Sequence, residues 1–473
     1  MNTLTQTTTQ DIKAIFEKQM TYRQEVSQST TSERIAKLKK LKKAIMNHRD
    51  EIKEALFKDY KKHPSEVDLT EIYPVTGDLK HTISHLRKWM SKKRVATPMA
   101  LLGSSSHVHY EAKGVCLIIS PWNFPINLTF GPLVSAVAAG NCVMLKPSEH
   151  TPHASNIMSK IIAEVFDPKE VAVCSGGVEV SKNLLELPFH HIFFTGAPSI
   201  GKIVMAAAAK NLTSVTLELG GKSPTIVDES ANTSMAGRRI AWAKYLNNGQ
   251  ICIAPDYIYV HESKKDALID SINKNIKKMY GDDVVTSQSY CRIVNDKHFN
   301  RIKCYMDDAI EKDVKILTGA KLDEKQDFIS PTIVENAGDQ SDLMTEEIFG
   351  PVLPIRVYKD SDEVIQAINK RERPLAMYIY SNKQKNINQF ISNTRAGGTC
   401  INHSAIHFFN NNLPFGGVNN SGIGKAHGEW GFIAFSNERA VLKQWSPFSA
   451  IELMTAPYSN FKQTLIDLSI KYF

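Results

Sequence analysis

No run of about 18 apolar residues occurs in the chain, so no membrane-spanning helix is expected. The start, MNTLTQTTTQ, is polar and lacks the basic and apolar regions of a secretory leader. Cysteines are few and odd in number, seven in all and widely spaced. That pattern fits neither a disulfide framework nor a zinc site, and a reducing, cytoplasmic setting is expected. The fifteen histidines form no HExxH or regular ligand pair, so no metal is expected. There is no GxGxxG motif, internal repeat or low-complexity linker. Basic residues outnumber acidic ones only 57 to 49 and are scattered. The densest cluster, KLKKLKK at 37–43, interleaves leucines at helical spacing. It reads as a solvated helix face, and no nucleic-acid partner is expected.

What the chain does have is length and alternation. With 473 residues, 42% hydrophobic and 22% charged, it can bury a large core and should divide into two or more domains. Residues 32–62 carry Ile35, Leu38, Leu41, Ile45, Ile52 and Leu56 at helical spacing. From residue 114, the β-rich runs 115–120, 142–146, 171–176, 191–196 and 214–219 alternate with helical patterns at 151–166 and 199–211. That alternation predicts a parallel, doubly wound α/β sheet. A second alternating series is expected after Cys252, with strands near 257–261, 333–337, 354–358, 377–381 and 398–402. The intervening segment 94–113, with Pro98, Gly103 and three serines, is unlike either series.

Two short segments carry the chemistry. VTLELGGKSP (215–224) ends an apolar run with Glu218 before a Gly-Gly turn, and NNGQICIAPD (247–256) sets Cys252 among small and amide residues. A thiol nucleophile and a carboxylate able to activate water are the parts of a covalent acyl-transfer site, though either segment alone would read as core. The two segments resemble the glutamate and cysteine signatures of the aldehyde dehydrogenase superfamily. The resemblance continues through PWNFP (121–125), LKPSE (145–149), FFTGAPSIGK (193–202), EEIFGPVLPI (346–355) and LPFGGVNNSGIGK (413–425). The APDY after the cysteine and the AHG at 426–428 resemble its class 3-like branch, which implies medium- or long-chain aliphatic, aromatic or apocarotenoid aldehydes.

The resemblance implies a Rossmann-like NAD-binding domain (1–93 and 114–218) and a second α/β catalytic domain (219–425). It also implies a small β bridging element (94–113 and 426–447) through which two copies form a homodimer, followed by a C-terminal helical extension (448–473). It implies that Lys146, Ser148, Glu149, Thr195, Gly196, Ser199, Gly201, Leu219, Glu347 and Phe349 hold the dinucleotide. Glu149 would accept from the ribose hydroxyls and disfavour a 2′-phosphate, so NAD is expected, with NADP use left open. In the expected reaction, Cys252 attacks the aldehyde and Asn123 and the Cys252 N–H stabilise the oxyanion. Hydride then leaves, and Glu218 activates water to hydrolyse the thioester. Trp122, Phe124, Ile406, Phe408 and Phe409 are expected to wall an apolar tunnel suited to hydrophobic aldehydes. Two other readings stay open: a coenzyme A-acylating dehydrogenase, against which Glu218 counts, and a binding protein that keeps the fold without turnover. After Pro457, the residues Phe461, Leu465, Leu468 and Tyr472 form one apolar helical stripe. That stripe would pack on the protein, cover the substrate entrance or rest on a membrane surface.

Overall fold

The computed structural model describes residues 6–472; Phe473 and the first five residues of the polar start lie outside the described residues. The first sheet has the order Gly422–Ile423, Ser214–Leu219, His191–Gly196, Val115–Ile119, Cys142–Lys146, Val171–Val173. Every pairing is parallel except that of Gly422–Ile423 with Ser214–Leu219. Chain order runs outward in both directions from Val115–Ile119, which makes a switch point beside His191–Gly196. In such sheets ligands bind beyond the strands' carboxyl ends at that point. Trp122, Asn123, Lys146, Gly196 and Glu218 all lie at or just after those ends.

Helices cover both faces, so these strands are buried on both sides, as parallel strands require. The helix Pro125–Ala139 shows how local sequence fixes placement. Proline opens it, Gly140 at φ 86° closes it, and nearly all of its side chains are buried. Buried Arg34 donates to the carbonyl of Ala138 at 3.0 Å, satisfying an acceptor that the helix end leaves open. The helical pattern at 32–62 is two helices, Thr31–Asn47 and Arg49–Tyr60, broken at His48. In the first, Leu38 and Leu41 face the core while Lys39, Lys40 and Lys43 face solvent.

The second sheet has seven strands, in the order Lys315–Thr318, Thr332–Glu335, Val352–Tyr358, Tyr257–His261, Pro224–Val227, Ala376–Tyr380, Gly398–Ile401. It does not begin after Cys252, as expected: Pro224–Val227 precedes the cysteine and lies near the middle of the sheet. Its apolar run is only PTIV, hemmed in by turn residues, too short for a periodic signal. Two further segments sit differently from the expected boundaries. Gly422–Ile423 extends the first sheet instead of the second domain, and Gly428–Ala434 is a helix packed on Pro125–Ala139 and Tyr73–Trp89. The third sheet is antiparallel, with Ser104–Ala112 between Lys93–Val95 and Ser436–Gln444. The C-terminal helix Asn460–Tyr472 forms, but its stripe does not bury on the protein. It rests against Ala450–Met454 and leaves Phe461, Leu468 and Tyr472 largely exposed.

Candidate active site

Cys252 follows a turn that its sequence favours. Asn247, Asn248 and Gly249 are consecutive left-handed residues, with φ 50°, 56° and 72°. Asparagine tolerates that region better than most residues. At Gly249 a Cβ would run into the carbonyls of Gly350 and Lys244, so glycine is required. The turn folds both asparagine side chains inward. Asn247 donates to the carbonyls of Asn123 and Gln250 at 3.0 and 3.1 Å, and Asn248 donates to that of Cys291 at 2.7 Å.

Asn123 is thereby tied to the cysteine loop. Its own amide donates to the Gln250 carbonyl at 2.9 Å, and its carbonyl accepts from the Tyr60 hydroxyl at 3.0 Å. Beneath them lies a buried ionic group. Lys62 stands 3.4 Å from Glu71, Glu71 accepts the Asn127 N–H at 2.9 Å, and Glu66 accepts the Asn247 N–H at 2.9 Å. Buried charges persist only when paired and hydrogen-bonded in this way.

Glu218 reaches the same place from the first sheet. Its strand pairs with Thr195–Gly196 on one side and with Gly422 on the other, so its backbone is held from both sides. The side chain is buried, and neither carboxylate oxygen has a protein partner. Burial pushes this carboxyl up to about 8, with the Lys425 charge opposing. Burial, then the charges of Glu347 and Glu218, push the Cys252 thiol up as well, so it is protonated at neutral pH. The N–H groups of Cys252 and Ile253 approach its sulfur and pull the other way, without prevailing.

Two cavities meet at Cys252. One is walled by Phe124, Leu128, Trp242, Ile251, Ile253 and Phe408, and is almost wholly apolar. The other passes Glu218 and Thr195 and is edged by Tyr73, Asp78, Asn411 and His427. A thiol, a buried carboxyl group without protein partners and an amide-rich loop are thus gathered around an apolar entrance.

A profile of the Aldehyde dehydrogenase family matches residues 1–441. The chain belongs to the aldehyde dehydrogenase family. It is an oxidoreductase acting on aldehydes. It is similar to the 4,4'-diaponeurosporen-aldehyde dehydrogenase of Staphylococcus aureus (strain NCTC 8325 / PS 47), 41% identical over 91% of this chain and 92% of that one. It is 42% identical to the dimeric NADP-preferring aldehyde dehydrogenase of Rattus norvegicus, over 86% and 89% of the two chains. The solved substrate-bound state of Staphylococcus aureus AldH is similar throughout, with a TM-score of 0.93 at 39% identity, over 97% of this chain and 99% of that one.

In this aldehyde dehydrogenase the remaining expected residues lie as follows. Lys146 and Glu149 form an ion pair at 2.7 Å, beside buried Ser148, whose hydroxyl accepts the His150 N–H. Ser199 is exposed on the first turn of the helix Pro198–Ala209, whose N-terminus has no side-chain cap. Gly201 rests against the Leu219 side chain, where a Cβ would come within 2.7 Å. Glu347 is pressed on Gly220, and burial, then the charge of Asp256, push it up to about 8. Its Oε1 has no partner. Phe349 adopts φ 44° and meets Trp122 edge-to-face at 5.4 Å.

Phe124, Phe408 and Phe409 line the cavities at Cys252, but Trp122 and Ile406 do not. Trp122 points toward Phe349 and His298, because the strand end turns between residues 122 and 124. Ile406, the first residue of a 3-10 turn, faces solvent. Lys222 does not touch Glu218. It holds Asp256 and the carbonyls of Leu343 and Glu346, and so anchors the loop that carries Glu347 and Phe349. Cys400, which the sequence leaves with no base, lies 3.3 Å from His407 Nδ1. Among the described residues no group of three or more His, Cys, Asp or Glu could hold a metal ion.

Proposed function

We propose that this aldehyde dehydrogenase oxidises a hydrophobic aldehyde to its carboxylate through a thioester on Cys252, hydrolysed by water that Glu218 activates. The observation that carries the reading is Glu218, buried beside Cys252 with both carboxylate oxygens free and its carboxyl shifted toward neutrality. A carboxylate with such a pKa is matched to proton transfer near neutral pH.

The Cys252 sulfur bonds to the aldehyde carbon, and the thiol proton leaves to solvent. The oxygen that gains charge is met by the Asn123 amide and the Cys252 N–H; one such donor contributes about 10²–10³ in rate. Losing hydride from that carbon restores the C=O bond and leaves the thioester. Water then adds to the carbonyl carbon, its proton passes to Glu218, the C–S bond breaks and the electron pair returns to sulfur.

NAD or NADP is the hydride acceptor in this reading. Lys146, Ser148 and Glu149 would hold the adenosine ribose. Thr195, Gly196 and Ser199 would take the phosphates at the open helix N-terminus, with Gly201 and Leu219 as its floor. Glu347 and Phe349 would hold the nicotinamide ribose and ring; the unpaired Glu347 Oε1 fits a hydroxyl donor. The acidic Glu149 favours NAD, while the NADP-preferring rat relative supports tolerance of both.

The apolar cavity supports a long aliphatic, aromatic or terpenoid aldehyde, as does the name of the staphylococcal relative. Stopped-flow measurement of Glu218→Gln tests the core of the reading. The variant should release about one equivalent of NADH per site in a burst and then turn over slowly, with an acyl adduct on Cys252 visible by intact mass. Steady-state turnover equal to wild type would remove Glu218 from the reaction.

A further inference from the structure

Lys62, Glu66 and Glu71 line neither cavity, yet they meet directly behind the residues that would receive the oxyanion. Lys62 and Glu71 are wholly buried. The Lys62 ammonium lies 3.4 Å from Glu71 and stands over the Phe124 ring, 4.1 Å from its centroid. Phe124 follows Asn123 directly and walls the apolar cavity. Glu66 accepts the Asn247 N–H, Glu71 accepts the Asn127 N–H, and the Tyr60 hydroxyl donates to the Asn123 carbonyl. One short stretch therefore grips both the cysteine loop and the segment that carries Asn123.

The backbone departs from a regular helix at this stretch. Asp68–Ile72 is a single π turn between the helices Pro64–Val67 and Tyr73–Trp89, closed by the Tyr73 N–H on the Asp68 carbonyl. An α-helix turns about 100° per residue and spreads successive side chains around itself. Here Thr70, Glu71 and Ile72 are all buried. Glu71 is thereby set on Lys62, while the Thr70 carbonyl accepts the Asn127 amide at 3.2 Å.

Stability does not account for a lysine at this place. Apolar residues of similar volume commonly match or exceed a buried ion pair, and this group sets two carboxyls against one ammonium. Burial pushes Glu66 up, and Glu71 up to about 7, with the Lys62 charge opposing both. Without the ammonium the neutral acids would be favoured, and a neutral carboxyl accepts an N–H more weakly than a carboxylate does. The bond to Asn247 matters most, because that residue holds a left-handed φ of 50° that its surroundings must maintain.

We propose that Lys62 is a positioning residue of the acylation step. Through Glu66, Glu71 and Phe124 it holds the Asn123 amide and the Cys252 N–H in register for the oxyanion. It touches neither the substrate nor the reacting atoms. The proposal rests on the reading of Cys252 and Asn123 given above. Donors to a developing charge act only when held in place, and a misplacement of about 1 Å can cost about 100-fold in rate.

The test combines Lys62→Met with Glu71→Gln in the full-length enzyme, a neutral pair that keeps an acceptor for the Asn127 N–H. The variant should unfold near the wild-type temperature. Its first turnover of a small aldehyde, read as NADH formation by stopped flow, should slow by about 10- to 100-fold, with no acyl adduct accumulating on Cys252. Steady-state turnover of an aldehyde deuterated at the carbonyl carbon should show a larger isotope effect than wild type, because the steps up to hydride loss then limit. Should the pair fail to fold, Glu66→Ala frees the Asn247 N–H and leaves Lys62 and Glu71 matched one to one; the same slowing is expected. A folded variant with a first turnover within about twofold of wild type and an unchanged isotope effect would overturn the proposal. So would a raised KM for long-chain aldehydes with kcat kept, which would confine Lys62 to the Phe124 wall. Asn123→Ala, measured alongside, separates the two readings. If it slows the first turnover and the Lys62 variant does not, only the positioning role fails; if it turns over normally, the reading of Asn123 fails first.

Discussion

In the proposed reaction Glu218 must be ionised to accept a proton, yet its surroundings favour the neutral acid. With its carboxyl pushed up to about 8, most molecules hold it protonated at pH 7, and thioester hydrolysis should accelerate with pH and level off above about 8. Stability follows the opposite course. The folded state keeps a proton that the unfolded chain loses near pH ~4.3, so stability falls as pH rises from there to about 8. Thermal unfolding of Glu218→Gln should therefore show a higher Tm than wild type at pH 9, with a gap that closes below pH ~4. An equal gap at both pH values would mean that burial of the charge is not its source. That Cys252 and Glu218 meet at one cavity was legible because each stands in a motif. Asn247 and Gln250 stand in the same motif, but their role was hidden: it depends on a left-handed turn that sets their amides against Asn123, 124 positions away, and against Arg292 and Val294, 42 and 44 positions away. Lys425 was hidden by its distance along the chain from Glu218, and the pairing of Cys400 with His407, only seven positions apart, by the positive-φ residues Asn402 and Ala405 between them.

Elements with continuous β-rich apolar runs, such as Cys142–Lys146 and Tyr257–His261, were readable within a residue or two. Short ones were not: Pro224–Val227 and Gly422–Ile423 owe their strand geometry to neighbours rather than to their own pattern. The C-terminal helix is the reverse case, an element legible in sequence whose apolar stripe its own chain covers only in part. With Phe461 and Tyr472 each more than half exposed, its stripe is suited to a second copy or a lipid surface rather than to a solvated end. Truncation after Pro457 should leave oxidation of a small aldehyde largely unchanged and weaken that of a long-chain one. Equal effects on both substrates would confine the helix to a packing role, and vesicle flotation would show whether lipid is the partner.

The whole molecule presents one long unprotected sheet edge. Ser436–Gln444 pairs on one side only, and Leu442, Trp445 and Phe448 are exposed on or just beyond it. Nine residues of open edge invite pairing with another chain, which favours a homodimer built through the three-stranded sheet. By light scattering the natural chain should then run as a dimer and the variant Leu442→Glu with Trp445→Glu as a monomer. A dimer that survives the double substitution would place the interface elsewhere. No helix among the described residues is long and apolar enough to cross a membrane.

A thiol that burial holds protonated is slow to react with anything, not only with substrate. Cys252 lies at the foot of two cavities with its sulfur in that state, whereas Cys304 stands exposed on a helix surface. Treated with iodoacetamide at neutral pH, the protein on its own should be alkylated first at Cys304, with the peptide containing Cys252 unmodified on mass mapping. The reverse order would mean that the nucleophile is already a thiolate at rest. If the order holds, the resting protein tolerates air and mild oxidants, losing the Cys304 thiol before that of Cys252, and can be purified without reductant at little loss of Cys252.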